Sequence, residues 1–185
     1  TLTNDEWSSI HKSTGVIEKL PLYIDECNST SLRYLLNKIR QYVITKGVKL
    51  VMIDYLQLVS NMMQGRSREQ EVSVIARSLK NIAKELDITI MALSQLSRGV
   101  ERNEGCRPML SNLRESGEIE QAADVVVFVY RPEYYNIQSD DSGSSTEGMA
   151  EIIFAKGRNI GIGSKWLKWI NYLTKFEDLD DNSFC

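Results

Sequence analysis

The stretch from Lys49 to Leu56 constrains the fold more than any other: Leu50-Val51-Met52-Ile53, an acid at Asp54, then Tyr55-Leu56. So continuous an apolar run predicts a strand covered on both faces, as in a parallel sheet flanked by helices, because a half-solvated strand alternates apolar with polar residues. Helical patterns flank it. Upstream, Leu32, Leu35, Leu36, Ile39 and Val43 recur on one helical face, with N-cap choices at Asn28-Ser29-Thr30 and a natural stop at Gly47. Downstream, a polar Gly-containing loop (Ser60 to Ser67) leads into a longer helix whose buried stripe is Val72, Ile75, Ala76, Leu79, Ile82, Ala83 and Leu86.

Thr3-Asn4-Asp5-Glu6 has capping-box spacing and predicts a short first helix ending near Ser13, followed by a short strand over Leu20 to Asp25. Thr89 to Leu96, Val125 to Arg131, Ala150 to Arg158 and Ser164 to Ile170 read as further strands. Ser97 to Gln121 is Arg-rich and irregular; Pro132 to Met149, rich in Ser, Asp and Gly, reads as a mobile loop. The acidic tail from Glu177 reads as frayed. The expectation is therefore an α/β domain with a mostly parallel sheet and antiparallel C-terminal strands, spanning 1–176 and followed by a tail at 177–185.

Composition narrows the function classes. At 42% hydrophobic and 25% charged residues, the chain suits a soluble globular domain, and no apolar run reaches membrane-spanning length. A net charge of -3 argues against coating nucleic acid with the whole surface, yet permits one local basic site. Cys27, Cys106 and Cys185 form no CxxC pair, and His11 is the single histidine, so a structural zinc is not expected. The sparse cysteines and the lack of a signal-peptide pattern fit a reducing, cytoplasmic setting.

Four segments carry chemistry. Leu50 to Asp54 has the Walker B pattern, in which a carboxylate at the C-terminal end of a buried strand holds the water shell of Mg²⁺. An Asp that merely caps the following turn gives the same pattern. Leu93-Ser94-Gln95-Leu96 puts a polar pair at the end of an apolar strand, where Gln95 can meet a γ-phosphate or its attacking water, or bond loop backbone. Asn112 to Gln121 is too polar for core and contains Arg114, Glu115 and Gly117; such a loop can hold nucleic-acid phosphates or simply face solvent. In Phe154-Ala155-Lys156-Gly157-Arg158, two cations two residues apart point to one side, either as a solvated edge or towards a neighbour's nucleotide.

In this order and at these separations, the segments resemble the DnaB family of hexameric replicative helicases over about Leu2 to Phe176. The helix from Glu71 to Leu86 is similar to the family's helix after Walker B. The block from Arg107-Pro108 through Leu113-Arg114-Glu115-Ser116-Gly117 to Ile119-Glu120-Gln121-Ala122-Ala123-Asp124 is the most characteristic part. The resemblance implies a RecA-like P-loop ATPase core and a parent protein that translocates on single-stranded DNA and unwinds duplex DNA at the replication fork. It implies ATP and Mg²⁺ as cofactors. Single-stranded DNA and a homo-hexameric ring are the implied partners, with primase and a helicase loader beyond them.

Under this resemblance Asp54 is the Walker B acid near Mg²⁺ and Gln95 senses the γ-phosphate. Arg114, Glu115 and Gly117 lie on the channel loop that grips DNA phosphates. Lys156 and Arg158 reach the adjacent subunit's nucleotide, Arg158 as the arginine finger. Two positions depart from the family pattern: Gly157 stands where Gln is usual, and Ile160 where Gly is usual.

The sequence contains no G-x-x-x-x-G-K-S/T; Gly143 to Gly148 comes nearest, but Met149 stands where Lys is required. In the family the phosphate-binding loop precedes the region where this sequence starts. The expectations are therefore an incomplete core with exposed apolar surface, self-association, and no ATP hydrolysis by these residues alone. A non-catalytic assembly or single-stranded DNA-binding module and a RecA- or RadA-like recombinase core are the alternative readings.

Overall fold

In the computed structural model, residues 2–26, 31–60, 67–102, 104–140 and 142–179 are described, without the side chains of 98, 102, 104 and 114–117. The N-cap choices at 28–30, most of the loop at 60–67 and the end of the acidic tail lie outside the described residues.

The first helix, α1 (Asn4–Ile17), begins on the expected box: the Thr3 hydroxyl accepts the Glu6 N–H, and the Glu6 carboxylate accepts the Thr3 N–H. It runs four residues past the expected end at Ser13 and buries none of its side chains. No strand forms over Leu20 to Asp25. That segment lies along α2 (Leu32–Lys46), with the Tyr23 ring 5.7 Å from Tyr42 and Asp25 3.6 Å from Lys38. A strand needs an edge to pair with, and this one meets helix side chains instead. Gly47 ends α2 in the left-handed conformation, φ 67°, as its position predicts.

The Leu50 run gives β1 (Leu50–Ile53), which pairs in parallel with β2 (Thr89–Ala92). Between them α3 (Arg68–Leu86) starts on a second capping box, Ser67 with Gln70. It buries Val72, Ile75, Ala76, Leu79 and Ile82, all on the predicted stripe. Leu32 and Ile39 of α2 join Ile53, Leu56, Ile75, Leu79 and Ile82 in one core. Fully burying a side chain such as Ile75 or Ile82 stabilises by about 1.5–3 kcal/mol.

The helices cover one face only. Leu50 and Met52 of β1, and Met91 with the adjacent Leu93 of the second strand segment, are between 44% and 65% exposed. The expectation of a strand covered on both faces is thus corrected, while the expected exposed apolar surface is present.

After β2 the chain makes three 3-10 turns, the last over Leu110–Ser116, and then α4 (Gly117–Ala122). The strands β3 (Val125–Tyr130), β4 (Met149–Gly157), β5 (Gly163–Ile170) and β6 (Lys175–Asp178) follow as an antiparallel sheet in sequence order. Val126, Phe128 and Tyr130 pack with Leu113 and Ile153 in a second core, whereas Val125, Val127 and Val129 face outward. Among the described residues, two parallel strands and four antiparallel ones form separate sheets. The "mostly parallel" expectation therefore holds only for the N-terminal part.

Two further expectations change. Glu177 and Asp178 are strand residues, paired with Lys168 and Leu167 and bound to Lys175 and Lys165, so pairing continues past Phe176. The described residues of the 132–149 stretch are organised: Pro132 and Thr146 are buried, and the Asp140 carboxylate accepts the Ser142 and Ser144 N–H groups, both at 2.9 Å. Polar turn residues made it look mobile, but they bond their own backbone. Arg107 forks onto the buried Glu151 carboxylate at 2.9 and 2.6 Å, fixing the turn region to β4.

Candidate functional site

Ligands of α/β sheets gather at the carboxyl ends of parallel strands, and that is where Asp54 and Gln95 stand. Parallel pairing continues past the strands themselves: Leu93 N–H donates to Ile53 O, and Leu56 N–H donates back to Leu93 O, both at 2.9 Å. Asp54 lies at the bend between these bonds, exposed, with a cis bond to Tyr55. Among the described residues its carboxylate has no hydrogen-bond or ion-pair partner.

No group of three or more His, Cys, Asp or Glu side chains that could cage a metal occurs among the described residues. An exposed carboxylate at this strand end suits an ion such as Mg²⁺, which keeps most of its waters and takes one or two carboxylates.

The turn after Asp54 contains a residue that the motif reading missed. The side-chain amide of Gln57 donates to Ser94 Oγ at 3.0 Å and to Gln95 O at 3.1 Å, and its oxygen accepts the Gln95 N–H at 3.2 Å. This double contact locks the backbone of Gln95 to the strand end bearing Asp54. Arg68 holds the turn from below, donating to Gln57 O at 2.5 Å and Val59 O at 3.1 Å. A polar residue inside the apolar stretch Tyr55 to Val59 was the available clue.

Gln57, Ser94, Gln95, Ser97 and Asn112 line a small cavity of about 110 Å³. Its far wall is the 110–116 turn. Asn112 is buried and accepts the Met109 N–H at 2.7 Å, its carbonyl accepts the Ser97 N–H at 3.4 Å, and buried Leu113 anchors the turn in the second core. Arg114 and Glu115 belong to this turn and Gly117 opens α4; their side chains lie outside the described set. Gln95 and the Arg114 turn thus enclose one cavity.

Lys156 and Arg158 stand elsewhere, at the C-terminal end of β4. Lys156 Nζ donates to the Glu120 carbonyl in α4. The Arg158 N–H donates to Asp124 O at 2.9 Å, and its Nη1 lies 3.2 Å from Asp124 Oδ1. Asp124 Oδ2 also accepts from Lys80 Nζ on α3. That hydrogen bond, with the charges of Lys80, Arg158 and Lys84, holds the Asp124 carboxyl below its ordinary value against the opposing effect of burial.

The two departures from the family pattern meet in space. A Cβ at Gly157 would come 2.3 Å from Ile160 Cγ1 and 2.6 Å from Ile160 O, so the residue at 157 must be glycine for Ile160 to pack as it does. Gly157 is paired to Val125 at the end of the ladder.

Comparisons with known proteins agree on one kinship. The DnaB-like helicase C terminal domain family matches residues 1–178. Replicative DNA helicase DnaB of Geobacillus stearothermophilus is 42% identical over 182 residues, 97% of this chain and 38% of the relative. Replicative DNA helicase DnaC of Bacillus subtilis (strain 168) is 41% identical over the same 97% and 38%. The chain therefore spans well under half the length of these relatives.

Among solved structures, one ATPase domain superposes with a TM-score of 0.84 at 37% identity, covering 97% of this chain and 62% of that one. A DnaB-like replicative helicase, solved in a study of its interactions with primase, gives 0.83 at 37% identity, covering 97% and 43%. The fold is accordingly RecA-like. By sequence and by structure, the chain belongs to the DnaB-like helicase C-terminal domain family.

Proposed function

We propose that residues 1–176 form part of the motor domain of an ATP-dependent, hexameric replicative DNA helicase that moves along single-stranded DNA in the cytoplasm and unwinds duplex at the fork. The observation that supports this reading is the cavity lined by Gln57, Gln95 and Asn112, which sets the strand end after Asp54 beside the turn that contains Arg114. Family membership favours it over a recombinase core.

ATP with Mg²⁺ supplies the phosphoryl group and the charge neutralisation when bound. Asp54 orients the water shell of the ion. Gln95, locked by Gln57, meets the γ-phosphate side and passes its state to the turn. Arg114 and the backbone at Glu115 and Gly117 hold DNA phosphates without reading bases. Lys156 and Arg158 serve the site of the neighbouring subunit, Arg158 as the finger. Single-stranded DNA and further copies of the chain are the primary partners, with primase and a loader as additional ones; a relative was solved in the context of primase interactions.

The test is the single-stranded-DNA-stimulated ATPase of the full-length protein carrying these residues. Arg158→Ala is expected to lower kcat by about 10³-fold or more with little change in nucleotide affinity. An unchanged rate would reject the finger assignment. These 185 residues alone are expected to give no turnover, and turnover that Asp54→Ala abolished would contradict the proposal.

A further inference from the structure

An arginine that acts on a neighbour's nucleotide must present its guanidinium accurately, yet a long cationic side chain on a strand end samples many rotamers. Here one residue restrains it twice. The Arg158 backbone is pinned by its N–H bond to Asp124 O at 2.9 Å, and its guanidinium is drawn to Asp124 Oδ1 at 3.2 Å. The pairing uses Nη1, and the Arg158 side chain stays 54% exposed, so donors remain to reach outward.

Asp124 is itself held from a third element. Its other oxygen accepts from Lys80, whose side chain is 20% exposed, against 52% for Asp124. Lys80 lies on α3, packed in the first core, so the anchor of this chain of contacts belongs to the rigid part of the fold. Lys156 is tied to the same stretch of chain through the Glu120 carbonyl. Segment 120–124 therefore carries both cations, and α4 joins it to the turn that bears Arg114.

We propose that Asp124 is the positioning residue for Arg158, held in place by Lys80, and that through it the Arg114 turn sets how the chain presents its guanidinium to the next subunit. This rests on the reading of Arg158 as a finger. It adds a route from DNA contact to a neighbour's nucleotide that runs through α4 and Asp124 rather than through Gln95. The lowered titration of Asp124 agrees, because it reflects the bond from Lys80 and the nearby charge of Arg158.

The experiment is steady-state ATPase of the full-length protein with and without single-stranded DNA, for Asp124→Asn, Asp124→Glu, Lys80→Ala, Arg158→Ala and the double variant Asp124→Asn/Arg158→Ala. Asp124→Asn is expected to lower kcat by about 10- to 10²-fold with KM for ATP unchanged, and to reduce the DNA stimulation ratio. Asp124→Glu should recover part of the loss, Lys80→Ala should show a smaller one, and the double variant should be no slower than Arg158→Ala. An unaltered kcat for Asp124→Asn, or a further drop on the Arg158→Ala background, would overturn the proposal. If Asp124→Asn fails to assemble, Lys80→Ala decides, and an unaltered kcat there has the same consequence. Should Arg158→Ala itself leave the rate unchanged, the finger reading falls, whatever Asp124 does.

Discussion

Gly157 and Ile160 show how two departures from a family pattern can form one unit. With 2.3 Å to Ile160 Cγ1 and 2.6 Å to its carbonyl oxygen, any side chain at 157 must displace the loop that follows β4. Gly157→Gln, which restores the family residue, is therefore expected to destabilise by about 1–3 kcal/mol, the usual cost of overpacking. Adding Ile160→Gly should recover much of this by removing the clashing side chain and freeing the carbonyl to move. Urea denaturation of the single and double variants checks the pair, and equal stability of Gly157→Gln and the parent would refute the coupling. Neither residue was interpretable alone in the sequence. Their relation depends on a turn whose path no local pattern encodes.

At the scale of elements, α2 and α3 were legible because their packing faces follow the helical period and their ends carry Gly47 and Ser67. Strand exposure was not legible. The apolar run at Leu50 to Ile53 marks a strand suited to cover on both faces, but whether both covers are present is decided by neighbours outside the run. The Leu20 to Asp25 segment failed for a related reason, since an apolar stretch predicts a strand only if an edge is free to receive it.

The fork of Arg107 on Glu151 was likewise invisible: it links residues 44 apart through a buried carboxylate. Burial alone would raise the Glu151 carboxyl. The bonds from Arg107 and Ser164 outweigh it and hold it below its ordinary value. Stability from this pair is thus complete above the ordinary carboxylate range and is lost as the pH falls through the lowered value. Arg107→Ala should cost about 2 kcal/mol near neutral pH, because it strands a buried charge. Its denaturation midpoint should also fall less steeply than the parent's on acidification. Parallel pH profiles for the two would contradict this account.

Over the whole molecule, two cores meet through the 110–116 turn and α4, with Leu113 in one and Ile119 packed against the other. The carboxyl end of the parallel strands, the Arg114 turn and the Arg158 strand end all adjoin this junction. Asp54, Gln95, Arg114 and Arg158 could be picked from the sequence because each stands in a short pattern with its own chemistry. Gln57, Lys80 and Asp124 could not, since each acts on a residue brought close only by the fold: Gln57 and Gln95 are 38 apart, Lys80 and Asp124 44 apart. The helper residues were hidden for that physical reason, while the groups proposed to meet ligands stood out.

On the proposed reading, a complete nucleotide site draws Asp54 from one subunit and Arg158 from the next. Co-assembling full-length Asp54→Ala subunits with Arg158→Ala subunits tests it most directly, because some interfaces then combine an intact Asp54 with an intact Arg158. Each variant alone should be nearly inactive, and mixed rings should regain DNA-stimulated ATP hydrolysis. Mixed rings as inactive as either parent variant would contradict it.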